Sequence, residues 1–67
     1  MQLNPAALKA LRERSGLSQT QLAASSDIRR DTLNHLEHGR RTATEQQIVA
    51  LAHALHVPVT ALIGGKS

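Results

Sequence analysis

Residues Gly16–Arg40, GLSQTQLAASSDIRRDTLNHLEHGR, decide how this chain folds. Two short helical patterns follow one another there, separated by the turn Ser25-Ser26-Asp27. The first starts at Ser18, with Gln21 three residues on. That spacing predicts a capping box, in which the serine hydroxyl and the glutamine amide each satisfy a backbone N–H of the other residue. Leu22 and Ala23 form its buried side. The second pattern has Leu33 and Leu36 as its apolar side, and Ile28 is expected to pack inward just before it. Arg29, Arg30, Asp31, Thr32, Asn34 and His35 crowd the same seven positions. A helix turns about 100° per residue. With Leu33 toward the core, Asp31, Asn34, His35 and His38 lie on the opposite side, flanked by Arg30 and Thr32.

Working outward, three further helical segments frame this pair. Asn4-Pro5 is a helix start, with a capping acceptor followed by a residue that has no N–H to satisfy. Ala7, Leu8 and Leu11 give that helix one apolar face, and Ser15-Gly16 ends it. Thr44 with Gln47 repeats the capping box, and Ile48, Leu51, Ala52 and Leu55 follow at three- and four-residue spacing. Val57-Pro58 opens a last short segment carrying Val59, Leu62 and Ile63, with Gly64-Gly65 as its stop and Lys66-Ser67 as a frayed tail. The expectation is a single domain over residues 1–67, an all-α, compact five-helix bundle with helices at about 5–15, 18–25, 29–38, 44–56 and 58–63.

Composition agrees. Hydrophobic residues make up 40% of the 67 positions, yet none is aromatic. They are mostly Ala and Leu, which favour helices over strands. With no cysteine there is neither a disulfide framework nor a thiolate metal site. No apolar run approaches the roughly 20 residues of a membrane span, and the N-terminus lacks a secretion signal core. A cytoplasmic protein without membrane contact is expected. The net charge is +3. Its distribution matters more than its size: Arg29, Arg30, Arg40 and Arg41 bracket the second helical pattern, while Glu13, Glu37 and Glu45 are scattered. A basic cluster around one polar helix face is an electrostatic footprint for phosphates.

The chemistry of that face matches the edges of DNA bases. Arg30 presents a two-pronged donor suited to guanine, Asp31 an acceptor for the cytosine amino group, and Asn34 a donor and acceptor suited to adenine. Thr32 suits a thymine methyl or a phosphate. The first-turn amides after Ser18, together with the Gln19 side chain, favour a phosphate oxygen. His35 and His38 fit near phosphates, and each is three residues from its neighbour in the pairs His35/His38 and His53/His56. With no matching cysteine or carboxylate this spacing does not make a metal site. No cofactor is implied, and no nucleophile–base pair or phosphate cradle suggests an enzyme. The lack of aromatic residues argues against single-stranded nucleic acid, which is held by stacking.

The combination Leu8…Leu11-Arg12, Gly16-Leu17-Ser18-Gln19, Leu22-Ala23, Leu33…Leu36-Glu37-His38-Gly39-Arg40 and Leu51-Ala52…Leu55…Val57 resembles the lambda-repressor-like (Cro/repressor, xenobiotic-response-element type) helix-turn-helix family, over about residues 5–64. The resemblance implies that helices 2 and 3 form the helix-turn-helix and that helix 3 enters the major groove. It implies base reading by Arg30, Asp31, Asn34 and His35, and backbone contacts from Ser18, Gln19, Arg29, Thr32, His38, Arg40 and Arg41. It also implies a structural pair between Arg12 and Glu37. Three positions depart from the family pattern: Asp27 stands where the turn usually has glycine, Arg29 where the recognition helix usually has a Ser or Thr cap, and Ala43 where proline often follows.

The function expected is a sequence-specific regulator of transcription binding double-stranded DNA, a repressor from a bacterium or phage. One short helix offers few base contacts, so a homodimer on a palindromic operator is expected, with Val59, Leu62 and Ile63 as the dimer surface. The alternative is a protein-interaction module on the same fold, such as an antitoxin or anti-regulatory factor, with a protein partner.

Overall fold

In the computed structural model, which describes residues 1–63, each helix starts and stops for a reason visible in its flanking residues. Helix α1, Pro5–Arg14, begins where Asn4 Oδ1 accepts from the amides of Ala6 (3.1 Å) and Ala7 (3.3 Å). It ends where Gly16 takes a φ of +75°, and the Leu17 amide turns back to the Arg12 carbonyl at 3.2 Å. Only glycine takes that left-handed backbone conformation without a steric penalty.

Helix α2, Gln19–Ser26, opens with the expected capping box: Gln21 N–H donates to Ser18 Oγ at 3.1 Å, and Ser18 N–H donates to Gln21 Oε1 at 2.8 Å. It closes on Asp27, which adopts φ 57°, ψ 39°, the left-handed conformation usually reserved for glycine at this turn. The Ile28 amide then bonds the Ala23 carbonyl at 3.0 Å, and Ile28 is buried. Helix α3, Arg30–Glu37, follows after only three residues. Arg29 sits at its N-cap without any side-chain cap, so neither Asp27 nor Asp31 takes over that role by hydrogen bond. Asp31 still places a negative charge in the first turn, where the helix dipole favours it.

Helix α4, Glu45–Leu55, repeats the capping box through Thr44 and Gln47 and ends on His56, which also has a left-handed backbone (φ 58°). Its inward face, Ile48, Leu51, Ala52 and Leu55, packs against α2. The fully buried side chains Leu8, Leu22, Leu33, Leu36, Ile48, Leu51 and Leu62 form one core drawn from every helix. Burying each contributes roughly 1.5–3 kcal/mol. Ala43, standing where proline was the family expectation, is buried too.

One expectation is corrected. The fold has four α-helices among the described residues, and the fifth segment is a single 3-10 turn, Val59–Ala61. Pro58 at its start brings no amide; Ala61 bonds back to Pro58 and Leu62 to Val59, three residues each and both at 2.9 Å, while Ile63 reaches four residues back to Val59 at 3.3 Å. Ile63 is then drawn into an antiparallel bridge with Leu3, and the Asn4 amide reaches the Leu62 carbonyl at 2.7 Å. The pairing of Ile63 with Leu3 ends the segment before a second four-residue bond forms. The expected glycine stop at Gly64-Gly65 and the tail Lys66-Ser67 lie outside the described residues.

Candidate nucleic-acid interface

The site is built around α3. Leu33 and Leu36 are fully buried and fix the back of the helix, so its front is set by helical geometry alone. Arg30 and Asp31 are exposed, and Thr32, Asn34 and His35 are half-buried. At about 100° per residue, Arg30, Asn34, Asp31 and His35 span one continuous arc away from Leu33. Arg29 precedes the arc and Arg40 and Arg41 follow it, all exposed. Gly39, with φ +70°, turns the chain at the end of α3 so that the two arginines follow directly.

What holds this face in place is a polar network behind it. Glu37, the last residue of α3, has a side chain only 1% exposed, yet it is charged. Arg12 of α1 grips it with a fork, Nε to Oε2 at 2.6 Å and Nη2 to Oε1 at 3.2 Å. The remaining Nη1 of Arg12 donates to the Leu17 carbonyl at 2.9 Å, tying the loop before α2 into the same knot. Hydrogen bonding to Glu37 raises the Arg12 pKa above its ordinary value; partial desolvation opposes this, and the charge of Glu37 adds to it. The guanidinium therefore stays charged throughout the working range of a protein.

Two residues expected at the DNA face turn out to belong partly to this network. Gln19 Nε2 donates to Glu37 Oε1 at 3.1 Å, and Gln19 Oε1 accepts from Asn34 Nδ2 at 3.4 Å. Gln19 is thus turned toward α3 as well as standing at the α2 N-terminus. Asn34 leans toward α2 rather than straight outward. No sequence spacing signals either contact, because the partners lie 18 and 15 positions apart. His38 is exposed and folds back on α3: its Nδ1 lies 2.8 Å from the Asn34 carbonyl, which can only accept, so Nδ1 carries the proton. Its Nε2 is left as the outward-facing nitrogen. Ser18 is exposed, and its hydroxyl is used as the α2 cap.

Of the proposed dimer residues, Leu62 is fully buried and closes the core, so it is no surface residue. Val59 and Ile63 pack against the same core but stay partly exposed. Among the described residues, no group of three or more His, Asp or Glu side chains is placed to hold a metal ion. Among the same residues, no helix is long and apolar enough to cross a membrane.

The helix-turn-helix family model HTH_3 matches residues 8–62, which takes in all four α-helices but the first turn of α1. The chain belongs to this family. Solved structures of the family lie close to it. The restriction-modification controller protein C.AhdI from Aeromonas hydrophila superposes with a TM-score of 0.86 at 34% identity, over 88% of this chain and 89% of that one. The clp gene regulator ClgR from C. glutamicum gives 0.81 at 30% identity, over 84% and 72%. The same fold also sits within hydroxyethylphosphonate dioxygenase, where all of this chain matches 14% of that one at 22% identity and a TM-score of 0.83. That likeness is one of fold alone. Among curated proteins, none matches the chain.

Proposed function

We propose that this HTH_3 protein binds double-stranded DNA sequence-specifically and regulates transcription as a repressor, with α3 seated in the major groove. The carrying observation is the arc Arg30, Asp31, Asn34 and His35 on an α3 anchored from behind by Glu37 and flanked by exposed arginines. Those side chains supply the donors and acceptors that base edges require, and Arg29, Thr32, His38, Arg40 and Arg41 supply the phosphate contacts that set its register. Gln19 and the exposed start of α2 complete the backbone side, with helix-terminal amides suited to a phosphate oxygen. The names of two similar structures, a controller protein and a gene regulator, support a regulatory role. Repression follows from occupancy: a domain filling the major groove excludes other proteins from the same base pairs. Chemistry on a substrate has no support in the arrangement of these side chains.

Two copies on a palindrome are part of the proposal. The domain measures 29 × 22 × 18 Å. A palindrome calls for one such body on each half-site, with the recognition helices about one DNA turn, roughly 34 Å, apart. Val59 and Ile63 form the proposed contact between them. Selection of binding sites from random duplexes tests the whole reading. Enrichment of a short inverted repeat is expected, and enrichment of no sequence would overturn it.

A further inference from the structure

Asp31 is the one carboxylate on the outward arc of α3, and its surroundings give it no partner. It stands at the second position of the helix and is exposed. The other four carboxylates lie elsewhere: Glu13 on α1, Asp27 at the end of α2, Glu45 on α4, and Glu37 buried behind the arc. The adjacent Arg29 and Arg30 do not neutralise Asp31, because the one ion pair among the described residues is Arg12 with Glu37. Nor is the carboxylate used as a helix cap, since the start of α3 carries no side-chain cap bond. Its acceptors all remain open, on a face otherwise suited to phosphates.

We infer that Asp31 makes DNA binding sensitive to amino-group methylation, so that the protein binds its site only while one cytosine or adenine amino group is unmodified. This inference rests on the DNA-binding reading above. A recognition helix brings its N-terminal residues to the base edges, and Asp31 belongs to that first turn. An ionised carboxylate can only accept hydrogen bonds. The major groove offers two donors, cytosine N4 and adenine N6, whereas guanine N7 and O6 and thymine O4 are acceptors. Against those acceptors the charge of Asp31 would be desolvated with nothing to offset it. Each amino group carries two hydrogens, one spent in the base pair and one pointing into the groove. A methyl on that nitrogen keeps the base pair only by taking the groove-side place. It therefore removes the single hydrogen that Asp31 can reach, and sets an apolar group against a charge.

The test begins with site selection from random duplexes for the wild type and Asp31→Ala, each checked for helicity. The position whose preference disappears in Asp31→Ala is the one that Asp31 reads, and cytosine or adenine is expected there. Duplexes carrying N4-methylcytosine or N6-methyladenine at that position are then compared with the unmodified site. Wild-type affinity is expected to fall about tenfold or more. Asp31→Ala, with no charge to satisfy, is expected to bind the two duplexes within about twofold of each other. Guanine or thymine at that position, no preference lost in Asp31→Ala, no effect of methylation on the wild type, or an equal effect on both proteins would overturn the inference and leave DNA reading intact. Failure of the wild type to select any site would instead overturn the underlying function. Should Asp31→Ala lose helicity, Asp31→Asn decides in its place. Its amide donates as well as accepts, so methylation should weaken it less than the wild type, and an equal loss refutes the role of the carboxylate.

Discussion

Arg12 and Glu37 stand 25 positions apart and meet as a buried fork, with Nε 2.6 Å from Oε2. Their pairing welds α1 to the C-terminal end of α3, opposite the N-terminus that lacks a side-chain cap. The two facts belong together. A recognition helix whose front is left polar, and whose N-cap is an arginine, has to be held from its other end.

The first prediction concerns that weld. Arg12→Ala leaves the Glu37 carboxylate in a nearly closed site with only Gln19 as a partner, and should cost about 3–5 kcal/mol. A domain of this size has a total stability of only several kcal/mol, so the variant should be largely unfolded near 37 °C. Replacing both partners, Arg12→Met with Glu37→Leu, should recover most of the stability, because no charge is then stranded. Urea unfolding monitored by circular dichroism separates the two cases.

Left-handed backbone at two non-glycine residues gives a second prediction. Asp27 and His56 terminate α2 and α4 with φ of 57° and 58°. Glycine adopts this conformation freely, whereas a residue with a Cβ pays roughly 1–2 kcal/mol, less for aspartate. Once the greater freedom of glycine in the unfolded chain is subtracted, His56→Gly should stabilise by about 0.5–1 kcal/mol and Asp27→Gly by less. Melting temperatures should rise in that order.

Arg29 separates stability from binding. Arg29→Ser supplies the missing cap of α3 and should stabilise the fold by about 1 kcal/mol. The same change removes a phosphate contact under the proposed function. Affinity for DNA should therefore fall as thermal stability rises, and a parallel rise in both would count against Arg29 as a backbone contact.

Base reading and phosphate binding respond differently to mutation. Arg30→Ala with His35→Ala should abolish discrimination between a selected site and random duplex, with each base contact worth about 1–3 kcal/mol. Arg40→Ala and Arg41→Ala should instead weaken all sequences alike and each lower the salt dependence of log K by about one unit. Titrations at several salt concentrations distinguish these outcomes.

The proposed dimer contact is the last prediction. Val59→Asp should leave binding to a single half-site nearly unchanged but remove the cooperative gain on the full palindrome. Equal losses on both duplexes would place Val59 in the core alone.

Much of the fold can be read along the chain. Asn4-Pro5, the Ser18/Gln21 and Thr44/Gln47 boxes, and the stops at Gly16, Asp27 and Gly39 all act through residues two to five positions apart, so their signatures lie side by side in the sequence. The same locality makes the polar front of α3 legible, because the apolar spacing of Leu33 and Leu36 dictates which residues face away from the core. The reading failed where a segment's state is set from elsewhere. The last segment looks helical by its apolar spacing, yet pairing of Ile63 with Leu3 at the other end of the chain holds it to one 3-10 turn. For the same reason Leu62 passes from supposed surface to core.

Short-range capping and periodicity in the sequence thus determined the all-helical class and the turn between α2 and α3, and they put forward the candidate base-reading side chains on which the proposed function rests. Only the tertiary structure decided how those side chains are held. Hydrogen bonds across 25, 18 and 15 positions bring Arg12, Glu37, Gln19 and Asn34 together. A bond between residues so far apart leaves no local pattern, since what places its partners is the packing of three helices around one core.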